Sequence, residues 1–231
     1  MMQRTKLFER LNTTFRLFLG NVPTFVILLE SDLERRHHVY GDVVHKLAVC
    51  NIIPATKKTG ADEFLQKEKI AVARPMSAAK IACSVSHVRV WNQIVARGLK
   101  HAIVLEDDVA ILDGFSAFVR ELRSQLPGDF DLVHLYVHED RSEWLRHVGN
   151  SQKLYVNYIP VWGRSAYLLS RRGAEKLLAE FRTLTDFGDF QIATMAKAGK
   201  LSVYCASRSY LDNLGQLRSE YKGERFRSNV Y

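Results

Sequence analysis

The sequence predicts an α/β fold in which an open sheet is flanked by helices. Apolar runs of strand length alternate with segments of helical periodicity from about residue 23 to residue 181, without an internal repeat. The chain has 231 residues, of which 47% are hydrophobic and 25% charged, so it can bury one well-packed core. No apolar run approaches the roughly 18–20 residues of a membrane-spanning helix. These features favour a single folded domain and argue against an integral membrane protein.

The first half of the chain predicts a strand, a helix and a second strand, followed by a loop and a long helix. Residues 23–30 form an apolar run that begins at a proline, which indicates a buried strand. Apolar residues at helical spacing indicate a helix within 32–46, and a short strand at 48–53 ends before a proline. The Lys-rich segment 56–80 predicts a loop with one short helix, and 84–97 predicts a helix that a glycine terminates.

The second half continues the alternation. An apolar core strand at 101–109 leads through a glycine-containing turn into a helix at 115–126. The remaining predicted elements are a strand at 130–137, a variable segment at 138–153, the segment 155–169 and a helix at 171–181. Open α/β sheets bind ligands outside the carboxyl ends of their strands. We therefore expect functional residues where the strand at 101–109 ends.

Three consecutive carboxylates, Glu106, Asp107 and Asp108, lie at that strand end. If the extended geometry persists, Glu106 and Asp108 project to one side and Asp107 to the other. Crowded anions repel, so either their pKa values rise or a cation joins them. Hard oxygen ligands favour Mg²⁺ or Mn²⁺, which leave coordination positions for a substrate diphosphate. The alternative is structural, with the acids capping the next helix or pairing with surface Lys and Arg.

Five motifs follow one another over roughly residues 24–190: FVILLESDLERR, CSVSHVRVWNQIV, HAIVLEDDV, FDLVHLY and VWGRSAYLLSRRGAEKLL. In these motifs and in their order, the chain resembles the bacterial lipooligosaccharide galactosyltransferases of glycosyltransferase family 25. The resemblance implies a GT-A-like nucleotide-sugar-binding domain with a mixed sheet, and a metal site at the three carboxylates. It also implies inverting transfer of a hexose, often galactose, from a UDP-sugar to a lipooligosaccharide or related glycan.

The resemblance implies roles for several further residues. Asp189 falls where the family has a late acidic residue and is the candidate base, although Asp186 could exchange roles with it, and either could instead cap a helix. Ser86 and His87 match a Ser-His pair, and we expect them at the start of their helix, where the dipole favours a diphosphate or where they reach sugar hydroxyls. The alternative for His87 is a structural role in the core.

Three other residues are candidate substrate contacts. Asp107 could contact the donor as well as the metal, and Arg35 could pair with phosphate or lie on a solvated helix face together with Arg36. Trp162 could stack on uracil or on a sugar, with core packing as the alternative.

The chain departs from the family pattern at two places near the expected donor. Leu28 stands where many members carry Asn, and Ala79, Lys80 and Ala82 replace the usual Gly, Glu and Gly before the cysteine. These changes keep open an alternative in which the protein is an inactive nucleotide-sugar-binding or scaffold member of the family.

The two ends of the chain carry much of its formal charge of +8. Residues 1–22 form a basic amphipathic arm, residues 23–214 the catalytic domain and residues 215–231 a basic tail. The arm either packs on a domain or contacts an anionic membrane surface. No nucleic-acid motif accompanies the charge, and three dispersed cysteines fit a reducing compartment. We therefore expect a cytoplasmic protein, with peripheral attachment to the inner face of the membrane left open.

Overall fold

The computed structural model describes residues 22–137 and 151–214. Within them, eleven strands are β1 (Thr24–Leu28), β2 (Cys50–Pro54), β3 (Ala71–Val72), β4 (His101–Glu106), β5 (Val109–Ile111), β6 (Leu132–His134), β7 (Tyr155–Val156), β8 (Ala166–Ser170), β9 (Thr183–Leu184), β10 (Val203–Ala206) and β11 (Leu211–Asn213). Six α-helices are α1 (Leu33–His38), α2 (Ala61–Glu68), α3 (Ala78–Ala96), α4 (Phe115–Gln125), α5 (Arg171–Glu180) and α6 (Gly188–Lys197). A π-helix and a 3₁₀ turn continue α1 as far as Lys46.

Seven of the strands form one mixed sheet in the order β2-β1-β4-β8-β6-β10-β7. Strand β1 is parallel to both β2 and β4, so the carboxyl ends of these three strands meet at one edge. Strand β8 runs antiparallel to its neighbours β4 and β6. Two small sheets, β11-β5 and β3-β9, lie outside the main one. The prediction of an open mixed sheet flanked by helices is confirmed.

Hydrophobic side chains are buried on both faces of the sheet because helices cover both faces. All five residues of β1 are buried, and alternate positions enter different cores. Phe25 and Ile27 pack in a cluster with α3 and α5, whereas Val26 and Leu28 pack with α4. A strand buried on both faces has an uninterrupted apolar sequence, which is why this strand was predictable.

The structure corrects two expectations about the ends of elements. Helix α3 begins at Ala78, before the predicted start at 84, so Ser86 and His87 lie in its middle. The expected contribution of the helix dipole at these two residues is therefore wrong. Strand β4 ends at Glu106, and Asp107 and Asp108 form a turn, so the strict alternation expected for the three carboxylates does not extend beyond Glu106.

The arm predicted for residues 1–22 lies outside the described residues except for its last residue, and the tail at 215–231 lies entirely outside them. Most of the variable segment at 138–153 is outside them as well. None of the helices in the described part of the chain is both long and apolar enough to cross a membrane.

Candidate functional site

A cleft lies at the sheet edge where the parallel strands β1, β2 and β4 end. Its volume is about 140 Å³. The lining combines acidic, basic and apolar groups from these strand ends, the loop after β2 and one face of α3. The lining residues are Ile27, Leu29, Arg35, Ala55, Thr56, Lys57, Lys58, Ala79, Ala82, Cys83, Ser86, His87, Glu106 and Asp107.

Asp107 is anchored by two groups that converge on its buried carboxylate. The backbone N–H of Leu29 donates to Asp107 Oδ2 at 2.8 Å, and the Arg35 guanidinium pairs with Oδ1. The same guanidinium lies 4.0 Å from Asp108 Oδ2. Arg35 is held on the first turn of α1, where Asp32 caps the helix by accepting from the Arg35 N–H. Arg35 therefore lies between the two aspartates, whereas Arg36 is exposed.

Crowding of the carboxylates changes their proton affinity in the predicted direction. Burial raises the pKa of Asp107, and the charge of Arg35 offsets only part of this increase. Burial and the charge of Glu106 raise the pKa of Asp108 to about 7. The turn thus brings acids close enough to repel one another, and added positive charge would stabilise their ionised forms.

Glu106 faces α3, where it ends a chain of hydrogen bonds whose direction can be assigned. The indole N–H of Trp91 can only donate, and it donates to the Tyr167 hydroxyl at 2.8 Å. The Tyr167 proton then goes to His87 Nδ1 at 2.9 Å. Neutral histidine consequently carries its proton on Nε2, which donates to Glu106 Oε1 at 3.0 Å. Burial lowers the pKa of His87, and the charge of Arg164 lowers it further, so the neutral form is favoured.

Cys83, His87 and Glu106 also form a cluster whose residue types could hold a metal ion. Their ligand atoms lie within 4.8 Å of one another. An ion bound there would need a thiolate and a free electron pair on His87 Nε2. Burial raises the pKa of Cys83 to about 12, and Nε2 carries a proton in the chain described above. The arrangement therefore favours hydrogen bonding within this cluster over ligation through His87.

A buried ion pair joins the cleft to α6. The Arg164 guanidinium is 3.2 Å from Cys83 Sγ, and its Nε is 3.0 Å from Asp189 Oδ1. The Gly163 N–H donates to Asp189 Oδ2 at 3.3 Å. The lack of a side chain at Gly188 is required here, because a Cβ would lie 1.5 Å from Arg164 Nη1. Burial alone would lower the pKa of Arg164, but neighbouring acidic groups, with Cys83 and Asp189 foremost, hold it above its usual value.

Asp186 occupies a different environment from Asp189. Its carboxylate pairs with Arg74 and accepts the Phe187 N–H at 2.7 Å, just before α6 begins. The structure therefore connects Asp189 to the cleft through Arg164, whereas Asp186 contacts Arg74 and the Phe187 N–H. Neither residue caps α6 from the N-cap position, which Phe187 occupies.

The cleft brings together five of the predicted residues, Arg35, Ser86, His87, Glu106 and Asp107. Ser86 donates from Oγ to the Ala82 carbonyl at 2.7 Å and accepts the Thr56 N–H at 2.8 Å, so it also holds the loop after β2. Trp162 does not line the cleft, and its ring contacts Phe190 instead. Of the departures from the family pattern, Ala79 and Ala82 line the cleft, whereas Leu28 is buried in the core.

Sequence reasoning missed several residues of the site, among them Arg164, Cys83 and the pair Lys57 and Lys58. The two lysines follow β2 at the same edge as Glu106, so the rule about strand ends could have identified them. No comparable signal marks Arg164, because its contact with Cys83 joins residues 81 positions apart.

Comparison with known proteins adds a family relationship to this geometry. The model of glycosyltransferase family 25 (LPS biosynthesis protein) matches residues 21–195. Procollagen galactosyltransferase 1 of Danio rerio is 26% identical over 177 residues, which are 69% of this chain and 29% of that protein. A probable inactive glycosyltransferase 25 family member 3 of Rattus norvegicus is 32% identical over 174 residues, which are 70% of this chain and 30% of that protein.

A glycosyltransferase 25 family member of Aedes aegypti is 33% identical over 112 residues, which are 46% of this chain and 18% of that protein. The chain thus spans less than a third of the length of these relatives. Among solved structures, apo mouse xyloside xylosyltransferase 1 aligns with a TM-score of 0.39 at 12% identity, over 78% of this chain and 83% of that one.

Proposed function

Because the chain belongs to glycosyltransferase family 25, we propose that it transfers a hexose from a nucleotide-sugar donor bound in the cleft to a glycan acceptor. The observation that carries this proposal is the composition of the cleft, where the carboxylates of Glu106 and Asp107 and the cations Arg35, Lys57 and Lys58 line the carboxyl ends of parallel strands. Asp108 does not line the cleft but lies beside it, 4.0 Å from the Arg35 guanidinium. Such an edge is where open α/β sheets bind nucleotides. The Lys and Arg side chains suit a diphosphate, and the carboxylates suit a cation that would neutralise it.

The proposed donor is a UDP-hexose, with galactose as the sugar. A relative named as a galactosyltransferase supports this choice of sugar. Lys57 and Lys58 are exposed on the cleft rim and Arg35 is inside it, so all three can approach the phosphates. The apolar lining of Ile27, Ala55 and neighbouring residues leaves room for the less polar parts of the donor.

The carboxylates fit Mn²⁺ or Mg²⁺ by their chemistry, since they supply the hard oxygen donors that these ions prefer. Glu106 and Asp108 would hold the ion, with a smaller part for Asp107, whose two oxygens already accept from Leu29 and Arg35. Burial, followed by the charge of neighbouring acids, raises the pKa values of Asp107 and Asp108, which supports the proposal that a cation joins this cluster. A bound ion would stabilise the negative charge of the departing diphosphate.

Asp189 is proposed as the base that removes the proton of the acceptor hydroxyl in an inverting transfer. Arg164 and the Gly163 N–H hold its carboxylate in one orientation. Arg164 also contacts Cys83 of the cleft lining, so one buried guanidinium connects the proposed base to the wall of the cleft. The proposed acceptor is a lipooligosaccharide or a related glycan, which is consistent with the family's description as an LPS biosynthesis protein.

A second candidate function is that of an inactive, donor-binding member of the family. Relatives named as inactive family members support it. Ala79 and Ala82 line the cleft where the family pattern has glycines, and the neighbouring Lys80 contacts Phe187 instead of the donor site. In this alternative the cleft still binds the donor, but the protein does not transfer the sugar.

The test is release of UDP from a panel of UDP-sugars with Mn²⁺, with and without glycan acceptors. We expect one UDP-hexose to give acceptor-dependent release that Asp189→Asn abolishes, with Asp113→Asn, at an exposed carboxylate that does not line the cleft, as the matched control that retains it. Binding of UDP without release from any donor would select the inactive alternative. Failure to bind UDP at all would contradict both candidates.

A further inference from the structure

Three aromatic side chains beside Asp189 form an exposed surface that the donor cleft does not include. We call Trp162, Phe187 and Phe190 the aromatic platform. The Trp162 side chain is 42% exposed, and its ring packs edge-on against Phe190 with centroids 4.7 Å apart. Phe187 contacts Phe190 in the same manner at 5.9 Å. Edge-on packing holds the Trp162 ring in place while a large part of its surface stays in water.

Charged groups border the platform. Lys80 Nζ lies 3.3 Å from the centroid of the Phe187 ring, and the Arg74 guanidinium lies 5.4 Å from it. Arg74 also pairs with Asp186, which is half-buried. The Phe187 end of the platform therefore carries two cations and, through Arg74, the Asp186 carboxylate. A pyranose ring has the matching chemistry, because its C–H groups form an apolar face and its hydroxyls project around the edge.

The platform is continuous with the residues proposed for the reaction. Trp162 directly precedes Gly163, whose N–H contacts Asp189. Phe187 and Phe190 flank Asp189 in sequence at the start of α6. Arg164 then joins Asp189 to Cys83 in the cleft lining. The platform and the cleft therefore meet at the ion pair between Arg164 and Asp189.

We propose that the aromatic platform binds the acceptor through packing of a hexopyranose ring against Trp162. This inference rests on the proposed transferase function, and it assigns Trp162 to the acceptor instead of to the uracil of the donor. A ring placed there lies next to Gly163, whose N–H holds the Asp189 carboxylate, so a hydroxyl of the acceptor can approach the proposed base. The donor cleft does not include Trp162, which leaves this surface available when the donor is bound.

A collagen-type peptide is the competing occupant, because proline rings also pack on tryptophan and one relative is named a procollagen galactosyltransferase. The charged border favours the sugar. Arg74 donates and Asp186 accepts, which matches hydroxyls that do both, whereas a proline residue offers a carbonyl and no N–H.

The experiment follows the Trp162 indole N–H signal by NMR in the full chain, assigned with Trp162→Phe. One probe is a water-soluble deacylated lipooligosaccharide, and the other is a Gly-Pro-Pro repeat peptide. We expect the oligosaccharide to shift the signal and the peptide to leave it unchanged. Trp162→Ala should weaken oligosaccharide binding about tenfold, which is about 1.4 kcal/mol. Tyr40→Ala, which removes another exposed aromatic ring (48% exposed), is the matched control and should have no effect.

Calorimetry of UDP binding with Mn²⁺ on the same variants separates this inference from the proposed function. Unchanged UDP affinity in Trp162→Ala, together with the loss of oligosaccharide affinity, supports the platform. Loss of UDP affinity in Trp162→Ala, a shift with the peptide alone, or no shift with the oligosaccharide would overturn it. Absence of UDP binding to the wild-type protein would instead overturn the proposed function.

Discussion

The proton on His87 is positioned by two residues that do not reach the cleft. Trp91 and Tyr167 are both fully buried. The Trp91 N–H donates to the Tyr167 hydroxyl, which in turn donates to His87 Nδ1. The result is a neutral ring whose Nε2–H points at Glu106. His87 thus lies in the core and also lines the cleft, and its role in substrate binding stays a prediction.

Tyr167→Phe tests this hydrogen-bond chain. Loss of the hydroxyl removes the donor to His87 Nδ1 and leaves the Trp91 N–H unpaired, so we expect the free energy of unfolding to fall by about 1–3 kcal/mol. Imidazole ¹⁵N NMR should show the wild-type proton on Nε2 and a mixture of tautomers in the variant. Tyr204→Phe is the control on a half-buried tyrosine elsewhere. A wild-type spectrum with the proton on Nδ1 would contradict the assigned direction.

Asp108 and Asp107 should respond differently to replacement by Asn. Asp108 is the proposed ion ligand, so Asp108→Asn should abolish transfer while leaving the fold intact. Asp107→Asn should have an equal or milder effect on transfer but lower stability by about 1–3 kcal/mol, because Arg35 and Leu29 lose an ionised partner. Transfer rates and thermal unfolding measure the two effects. Near-normal transfer by the Asp108 variant would contradict its assignment.

At the level of elements, one buried carboxylate connects three parts of the fold. Asp131 precedes β6 and accepts hydrogen bonds from Arg172 and Lys176 of α5, at 2.8 Å and 2.6 Å. It also accepts the Ser202 N–H, just before β10, at 2.9 Å. Burial would raise the pKa of Asp131, but these bonds outweigh it and hold the pKa below its usual value.

Because the pKa of Asp131 is lower in the folded protein than in the unfolded chain, its carboxylate stabilises the fold at neutral pH and less so at acid pH. The contribution of Asp131 is complete above the carboxyl pKa of the unfolded chain, about 3.9, and is lost as the pH falls through the lower folded value. Asp131→Asn should lower the free energy of unfolding at neutral pH by about 2–4 kcal/mol. It should also make the free energy of unfolding depend less on pH in the acid range. Urea unfolding between neutral and acid pH measures this, with exposed Asp113→Asn as control. Equal stability of the two variants would contradict the role given to Asp131.

Elements with a strong local hydrophobic pattern can be predicted from the sequence. Elements that form only through pairing with a segment distant in sequence cannot. Strands β1 and β4 were predictable because burial on both faces leaves continuous apolar runs. Strands β3 and β9 have two residues each and exist through their pairing across more than a hundred positions. The same limit applies to the site, where a strand end revealed Glu106 but no local pattern linked Arg164 to Cys83 and Asp189.

At the scale of the whole molecule, the two ends of the chain, which lie outside the described residues, carry five of the eight net positive charges. We propose that these basic ends hold the protein at the anionic inner face of the membrane, next to a lipid-linked acceptor. Each Lys or Arg near such a surface contributes about 1 kcal/mol. The full chain should therefore co-sediment with anionic vesicles, and added salt should weaken this binding because it screens the charges.

Removal of residues 1–20 should reduce sedimentation with anionic vesicles and leave transfer to a soluble acceptor unchanged. Neutral vesicles are the control, since they lack the attracting charge. Unchanged binding after truncation, or unfolding of the truncated protein, would show that the arm at 1–22 packs on the protein instead.

The proposed function requires that the cleft bind a nucleotide diphosphate together with a divalent ion. Calorimetric titration of UDP into the wild-type protein, with Mn²⁺ and then with EDTA, tests this most directly. UDP brings negative charge next to Glu106 and Asp107 of the lining and to Asp108 beside it, and Arg35 is already paired with the aspartates, so we expect the ion to offset the remaining repulsion. We predict binding with Mn²⁺ that is lost in EDTA and in Asp108→Asn. Equal affinity in the two conditions, or no binding in either, would contradict the claim.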